Sequence, residues 1–183
     1  MKTSFLFIAL LLFFSCQTKS KERQEWEKYA EAEILKRIGK PLYMPDSILV
    51  AKDGLIDTLC LSNLTPRQKL VTYIDVGCNA CLVNLGFWKF FFEEIKTKNI
   101  DCDFLIFING GVNSIQSIRD LGFHYPVLLD TATLYISKND CWDKRFQTAL
   151  LNNNNEVVII GDLSVNEKLK DLYIEAMLDE KEK

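Results

Sequence analysis

Two cysteines separated by two residues, Cys78-Asn79-Ala80-Cys81, are the residues of this chain whose spacing most directly permits chemistry. The β-branched and aromatic run Leu70-Val71-Thr72-Tyr73-Ile74-Asp75-Val76 precedes them, and an apolar helical pattern follows. In that setting the first thiol falls at a helix N-terminus, where unpaired backbone N–H groups and the helix dipole favour thiolate. The second lies one turn further on, within reach to close a disulfide. Cys78 is therefore expected to attack a substrate disulfide and Cys81 to resolve the mixed disulfide. A static disulfide stapling the helix start is the alternative reading of the same pair. Metal binding is not indicated, because the other thiols are scattered singly and His124 is the only histidine. No cofactor is implied.

The remaining reactive residues have plainer readings. Cys60 and Cys102 fall in expected strands, as small buried hydrophobes. Cys141 stands beside Trp142 in an irregular stretch and is expected to be accessible. His124, just before a strand, suits a loop or capping role. Asp75 closes its strand and reads as a solvated charge. The aromatic run Phe87, Trp88, Phe90, Phe91 and Phe92 is expected to be mainly helix core.

The elements that must hold the pair can be followed along the chain. A helix is expected from Glu25 to Ile38, with Ile34, Leu35 and Ile38 facing a core, and Gly39 ends it. Short strands at 48–50 and 56–61 flank the Asp53-Gly54 turn. After the strand at 70–76, Leu82, Leu85, Trp88, Phe92 and Ile95 recur at helical spacing up to Lys96–Lys98. A strand at 102–108, a helix at 112–121 and a strand at 126–129 follow. Residues 130–145 read as irregular. Strands at 146–151 and 156–160 enclose Asn152-Asn153-Asn154-Asn155 as a hairpin turn, and 165–178 is an amphipathic helix. This order describes an α/β domain, a central mixed sheet with helices on both faces.

The 183 residues suffice for one such domain and short extensions, and 48% hydrophobic with 26% charged residues fits a globular chain. The net charge of −3 and the absence of a dense basic patch argue against nucleic acid. At the N-terminus, Lys2 precedes an apolar run from Phe5 to Phe14 and then Ser15-Cys16, the anatomy of a secretory signal peptide. The run is shorter than the roughly 20 residues of a spanning helix. Ser15-Cys16 resembles the lipobox of bacterial lipoproteins, which implies cleavage before Cys16 and acylation of that residue. The chain is thus divided into a signal peptide (1–15), a lipid-anchored tether (16–24), a helical and extended segment (25–54), the main domain (55–178) and a frayed tail (179–183).

Residues 55 to 178 resemble the thioredoxin-like superfamily, and within it the TlpA/ResA-type envelope lipoproteins of Bacteroidetes. The resemblance rests on KLVTYIDVGCNACLVNL, YPVLLD and FQTALLNNNNEVVIIG. It implies a thioredoxin-like fold and disulfide exchange on envelope thiol and disulfide proteins. It also implies electrons from a membrane partner and an address in the cell envelope, lipid-anchored and facing the periplasm. Three positions depart from the pattern. Gly77 stands where the family has Trp, Thr72 where it has an acid or amide, and Gln147 at the position of its cis-proline. A non-proline cis bond costs about 2.5–4 kcal/mol, so a trans peptide is expected at Gln147. Gln147 thus favours a competing reading, a non-catalytic binding lipoprotein with a structural disulfide. A peroxiredoxin-like peroxide reductase is less well supported, because Asp75 and Val71 stand where that branch has Thr or Ser and Pro.

The anchor makes its own prediction. Cys16→Ala protein is expected to leave the membrane fraction on cell fractionation, and complete retention there would refute the lipid anchor.

Overall fold

Six α-helices and seven strands follow one another along residues 20–64 and 67–179, the residues described in a computed structural model of the chain. They are α1 (Lys21–Arg37), β1 (Ser47–Lys52), β2 (Leu55–Cys60), β3 (Lys69–Ile74), α2 (Asn79–Val83) and α3 (Leu85–Thr97). Then come β4 (Asp103–Ile108), α4 (Asn113–Asp120), β5 (Val127–Leu129), α5 (Leu134–Lys138), β6 (Thr148–Leu151), β7 (Val157–Ile160) and α6 (Glu167–Asp179). The strands form one mixed sheet in the order β2-β1-β5-β4-β3-β6-β7.

The site hangs from β3, which is buried at every position. It pairs in parallel with β4, Thr72 opposite Ile106, and antiparallel with β6, Thr72 opposite Thr148. Alternation sends its side chains to two faces. On one, Leu70 and Ile74 join Ile106, Ile108 and Leu150 beneath the α3 residues Leu85, Trp88, Phe92 and Ile95. On the other, Phe107 stacks on Tyr135 of α5 with ring centres 4.1 Å apart. The sheet is thereby covered on both faces, as the two-sided apolar pattern of β3 requires.

The chain divides into two compact units, one ending at Lys36 and the other running from Arg37 onward. Of the first, the described part is the helix α1, which begins at Lys21. Residues 21–24 of the expected tether are therefore helical. Ser20 Oγ accepts the Arg23 N–H at 3.3 Å, and Lys21–Glu25 and Arg23–Glu27 pair one turn apart. Leu35, 68% exposed, and Ile38 do not face a core as expected. The signal peptide (1–15), Cys16 and residues 180–183 of the tail lie outside the described residues. Among the described residues no helix is long and apolar enough to cross a membrane.

Within the second unit, β1 and β2 form one hairpin through Asp53 and Gly54, both at positive φ, so the sheet starts at Ser47. The helix after the cysteine pair is in two pieces meeting at Asn84, although Asn84 N–H still bonds Ala80 and its carbonyl still accepts from Trp88. The stretch 130–145 contains α5, which periodicity over five residues could not reveal. Both Asp130 carboxylate oxygens cap its first turn, accepting from Leu134 N (2.8 Å) and Tyr135 N (3.0 Å). The asparagine turn forms as expected, with Asn152 Oδ1 accepting from Asn154 and Glu156 and Asn155 at positive φ. The last helix starts at Glu167, after a 3₁₀ turn at Leu163–Val165.

Phe92 is fully buried where α3 meets the sheet, its ring 4.1 Å from that of Phe104 and 4.9 Å from that of Tyr125. Phe92→Ala is expected to lower the unfolding free energy by about 3–5 kcal/mol in denaturant titration. A loss under about 1 kcal/mol would show that this cluster does not organise the core.

Candidate active site

The loop from β3 to α2 is held by one carboxylate. Asp75 Oδ1 accepts the Gly77 N–H at 3.0 Å and Asn109 Nδ2 at 2.6 Å, while Asn109 Oδ1 accepts the Val76 N–H at 2.8 Å. These bonds tie the C-terminal ends of β3 and β4 together. The Asp75 carbonyl accepts the Cys78 N–H at 3.1 Å, closing a turn that delivers Cys78 to the start of α2. Gly110 allows the loop after β4 to approach: a Cβ there would lie 2.5 Å from Val76 Cγ2 and would also collide with Ser114. Asp75 is therefore a structural ligand of the loop, not merely the solvated charge expected from sequence.

Cys78 is the N-cap residue of α2, its carbonyl accepting the Leu82 N–H at 3.1 Å, and Cys81 lies one turn on. Both are free thiols and half-buried. Hydrogen bonds from the Cys81 side chain and backbone N–H, with a smaller contribution from Lys144, hold the Cys78 thiol below the ordinary cysteine range. Burial and the bond to Cys78 push the Cys81 thiol up, and Lys144 acts against that shift. The two thiols are thus divided, the first inclined to thiolate and the second to thiol.

Lys144 was missed by sequence reasoning. It opens a 3₁₀ turn, Lys144–Phe146, which Asp143 caps by accepting the Arg145 N–H at 3.0 Å. Its Nζ stands 3.4 Å from Cys81 Sγ and 3.9 Å from Asp75 Oδ2. The pair of sulfurs holds its ammonium above the usual lysine range, Cys81 contributing more than Cys78. Position 144 lies in a stretch without periodicity, so the only available signal was a basic residue three places before Gln147.

The thiols and Lys144 open onto a cleft of about 270 Å³, whose lining includes Trp88, Gln147, Asp162 and Ser164. Beneath it Thr72 and Thr148 share a hydrogen bond of 2.9 Å between buried hydroxyls. A pair of hydroxyls therefore fills the place where the resemblance implies an acid or amide. Gln147 lines the cleft and closes the Lys144–Phe146 turn. Its N–H points to Lys144 O (3.4 Å), its carbonyl accepts from Tyr73 N (3.2 Å), and its amide bonds Cys141 O (3.1 Å). No peptide among the described residues is cis.

Other expected residues lie elsewhere. Cys60, expected to be buried, is exposed at the end of the edge strand β2. Cys141, expected to be accessible, is buried, its thiol bonded to Asn139 O at 3.3 Å, while its neighbour Trp142 is exposed. Cys102 packs against the core and burial pushes its thiol up to about 12. His124 is on the surface, 3.9 Å from Asp53. Phe90, 75% exposed, is the member of the aromatic run outside the core.

No protein-family model and no curated protein matches this sequence. Solved structures do. A candidate protein disulfide isomerase from Bacteroides thetaiotaomicron superposes with a TM-score of 0.63 at 19% identity, over 78% of this chain and 91% of that one. A candidate thiol:disulfide interchange protein, DsbE, from Chlorobium tepidum gives 0.57 at 12% identity, over 76% and 99%. AhpC of Enterococcus faecalis gives 0.59 at 11% identity, over 80% and 96%. At these identities the likeness speaks for architecture alone: the chain has a thioredoxin-like α/β fold, a seven-stranded mixed sheet flanked by helices.

Proposed function

We propose that this protein is a membrane-anchored thiol–disulfide oxidoreductase of the TlpA/ResA type, acting on envelope proteins through Cys78 and Cys81. The observation that carries the reading is the division of the two thiols in an open cleft. Cys78 is favoured as thiolate by donors from Cys81 and by Lys144, while Cys81 keeps its proton one turn away. That is the charge state from which exchange starts. Cys78 thiolate attacks one sulfur of a substrate disulfide and expels the other as thiolate. Cys81 then attacks Cys78 Sγ, releasing the second substrate thiol and leaving the Cys78–Cys81 disulfide. From that thiolate–thiol state the protein gives up two electrons and one proton, and the substrate, reduced to two thiols, takes its second proton from water; a membrane donor of electrons would restore the dithiol. A lipid on Cys16 would hold the domain at the membrane face of the periplasm.

The closed turn at Gln147 supports a second reading, a non-catalytic binding lipoprotein whose pair is a structural disulfide. The likeness to AhpC invites a peroxidase test, but Asp75, three residues before Cys78, is committed to the loop and cannot supply the hydroxyl of a Thr or Ser there.

Wild-type protein is expected to reduce insulin disulfides after priming with a dithiol, and Cys78→Ser is expected to fall to background. Wild type no better than the mutant would sink the oxidoreductase reading. A Cys78–Cys81 potential well below about −300 mV would favour the structural disulfide.

Alkylation separates the thiols without any substrate. Because the Cys78 thiol is held low, its reaction with iodoacetamide should persist below the pH at which an ordinary cysteine stops reacting. It should be lost only as the pH falls through the lowered value. Cys102 and Cys141 should label only after unfolding, and peptide mass mapping reads both results. Cys78 reacting no faster than exposed Cys60 at pH 7 would contradict the activated-thiol assignment.

A further inference from the structure

The second half of the exchange needs Cys81 as thiolate, and the buried residue beneath the cleft is not an acid that could take its proton. Position 72 is a threonine bonded to Thr148. Among the described residues lining the cleft, the titratable groups besides the two cysteines are Tyr73, Lys144 and Asp162. Tyr73 is pushed up to about 12 by burial, with Asp130 and Asp75 adding to the shift. Asp162 is engaged by Ser164, accepting from its N–H at 2.9 Å and its hydroxyl at 2.6 Å. Lys144 is the one cation in the lining, and its ammonium is in contact with the Cys81 sulfur.

We infer that Lys144 drives the resolving step by stabilising the Cys81 thiolate from the rim of the cleft, with Asp75 and Asn109 as the positioning residues that hold its ammonium there. This rests on the oxidoreductase reading and assigns the group that completes it. Before substrate arrives, Cys81 gives its S–H bond to the Cys78 thiolate. Once Cys78 is bonded to a substrate sulfur, that acceptor charge is gone, and the Cys81 proton can leave to solvent. The thiolate that remains faces Lys144 at 3.4 Å. It attacks Cys78 Sγ; the bond between Cys78 and the substrate sulfur breaks, and the departing substrate thiolate takes a proton from water. Lys144 itself stays protonated throughout, so its part is charge stabilisation and not proton transfer. Asp75 bridges the cation to the loop: Oδ2 is 3.9 Å from Nζ, while Oδ1 is fixed by Gly77 N–H and Asn109.

The uncharged disulfide dithiodipyridine separates the two halves, releasing one thiopyridone on attack by Cys78 and a second on resolution by Cys81. In a Cys16→Ala, Cys60→Ser background, which removes Cys16 and the exposed thiol among the described residues, Lys144→Gln is expected to slow the second release roughly fivefold at neutral pH and move its profile to higher pH. That is the size expected of one exposed charge at about 4 Å in water. Lys144→Arg should retain the second rate within about twofold, and Asp75→Asn should fall between the two. A second phase in Lys144→Gln as fast as in the parent, or Lys144→Arg as slow as Lys144→Gln, would overturn the assignment. If the parent itself releases only one thiopyridone, the oxidoreductase reading fails. Lys144 is then judged by iodoacetamide on Cys81 in Cys60→Ser, Cys78→Ser protein: a shift to higher pH on adding Lys144→Gln supports it, and an unchanged profile refutes it.

Discussion

Burial of β3 on both faces is the constraint from which the cysteine loop inherits its position. A strand enclosed this way must satisfy all its backbone groups in ladders, and it does so with β4 in parallel and β6 antiparallel. The parallel partner brings the C-terminal ends of β3 and β4 side by side, which is why Asp75 can reach Asn109. The antiparallel partner brings the start of β6, and with it the Lys144–Phe146 turn, to the same end. The cysteine pair, the carboxylate that holds its loop and the cation beside its sulfur therefore meet although they come from three separate parts of the chain.

The chemistry of the pair is one of division rather than strength. Two identical thiols in one helical turn compete for stabilisation, and the geometry awards it first to the one at the helix start. Cys81 donates, Cys78 accepts, and the lysine borders both. The same contacts that favour ionisation of the first thiol oppose that of the second. In the proposed exchange, order thus comes from hydrogen-bond direction, with no moving part.

Much of this was legible in the sequence. The run KLVTYI read as a buried strand, Cys78 to Cys81 as the opening of a helix, and the four asparagines as a hairpin turn, and each formed as expected. What could not be read was anything set by partners remote in sequence. Asp75 looked like a strand-end charge because its ligand Asn109 is 34 residues away. Lys144 lay 63 residues from Cys81, in a stretch whose local conformation depends on Asp130 and Asp143 capping short turns. The fates of Cys60 and Cys141 were exchanged for the same reason. An edge strand exposes what a central one buries, and the sheet order is not a local property.

The neutral Thr72–Thr148 pair has a consequence for where the site is sensitive. The threonines place no charge directly beneath the sulfurs, and the charge in contact with them sits at the protein–water boundary, on Lys144, whose side chain is 57% exposed. Mobile ions reach that boundary and attenuate the charge's field over about 8–10 Å at ordinary salt, which a carboxylate sealed in the core would escape. The reactivity of this centre is consequently coupled to the ionic strength of the medium around it. A rim-charged thiol pair answers to its electrolyte.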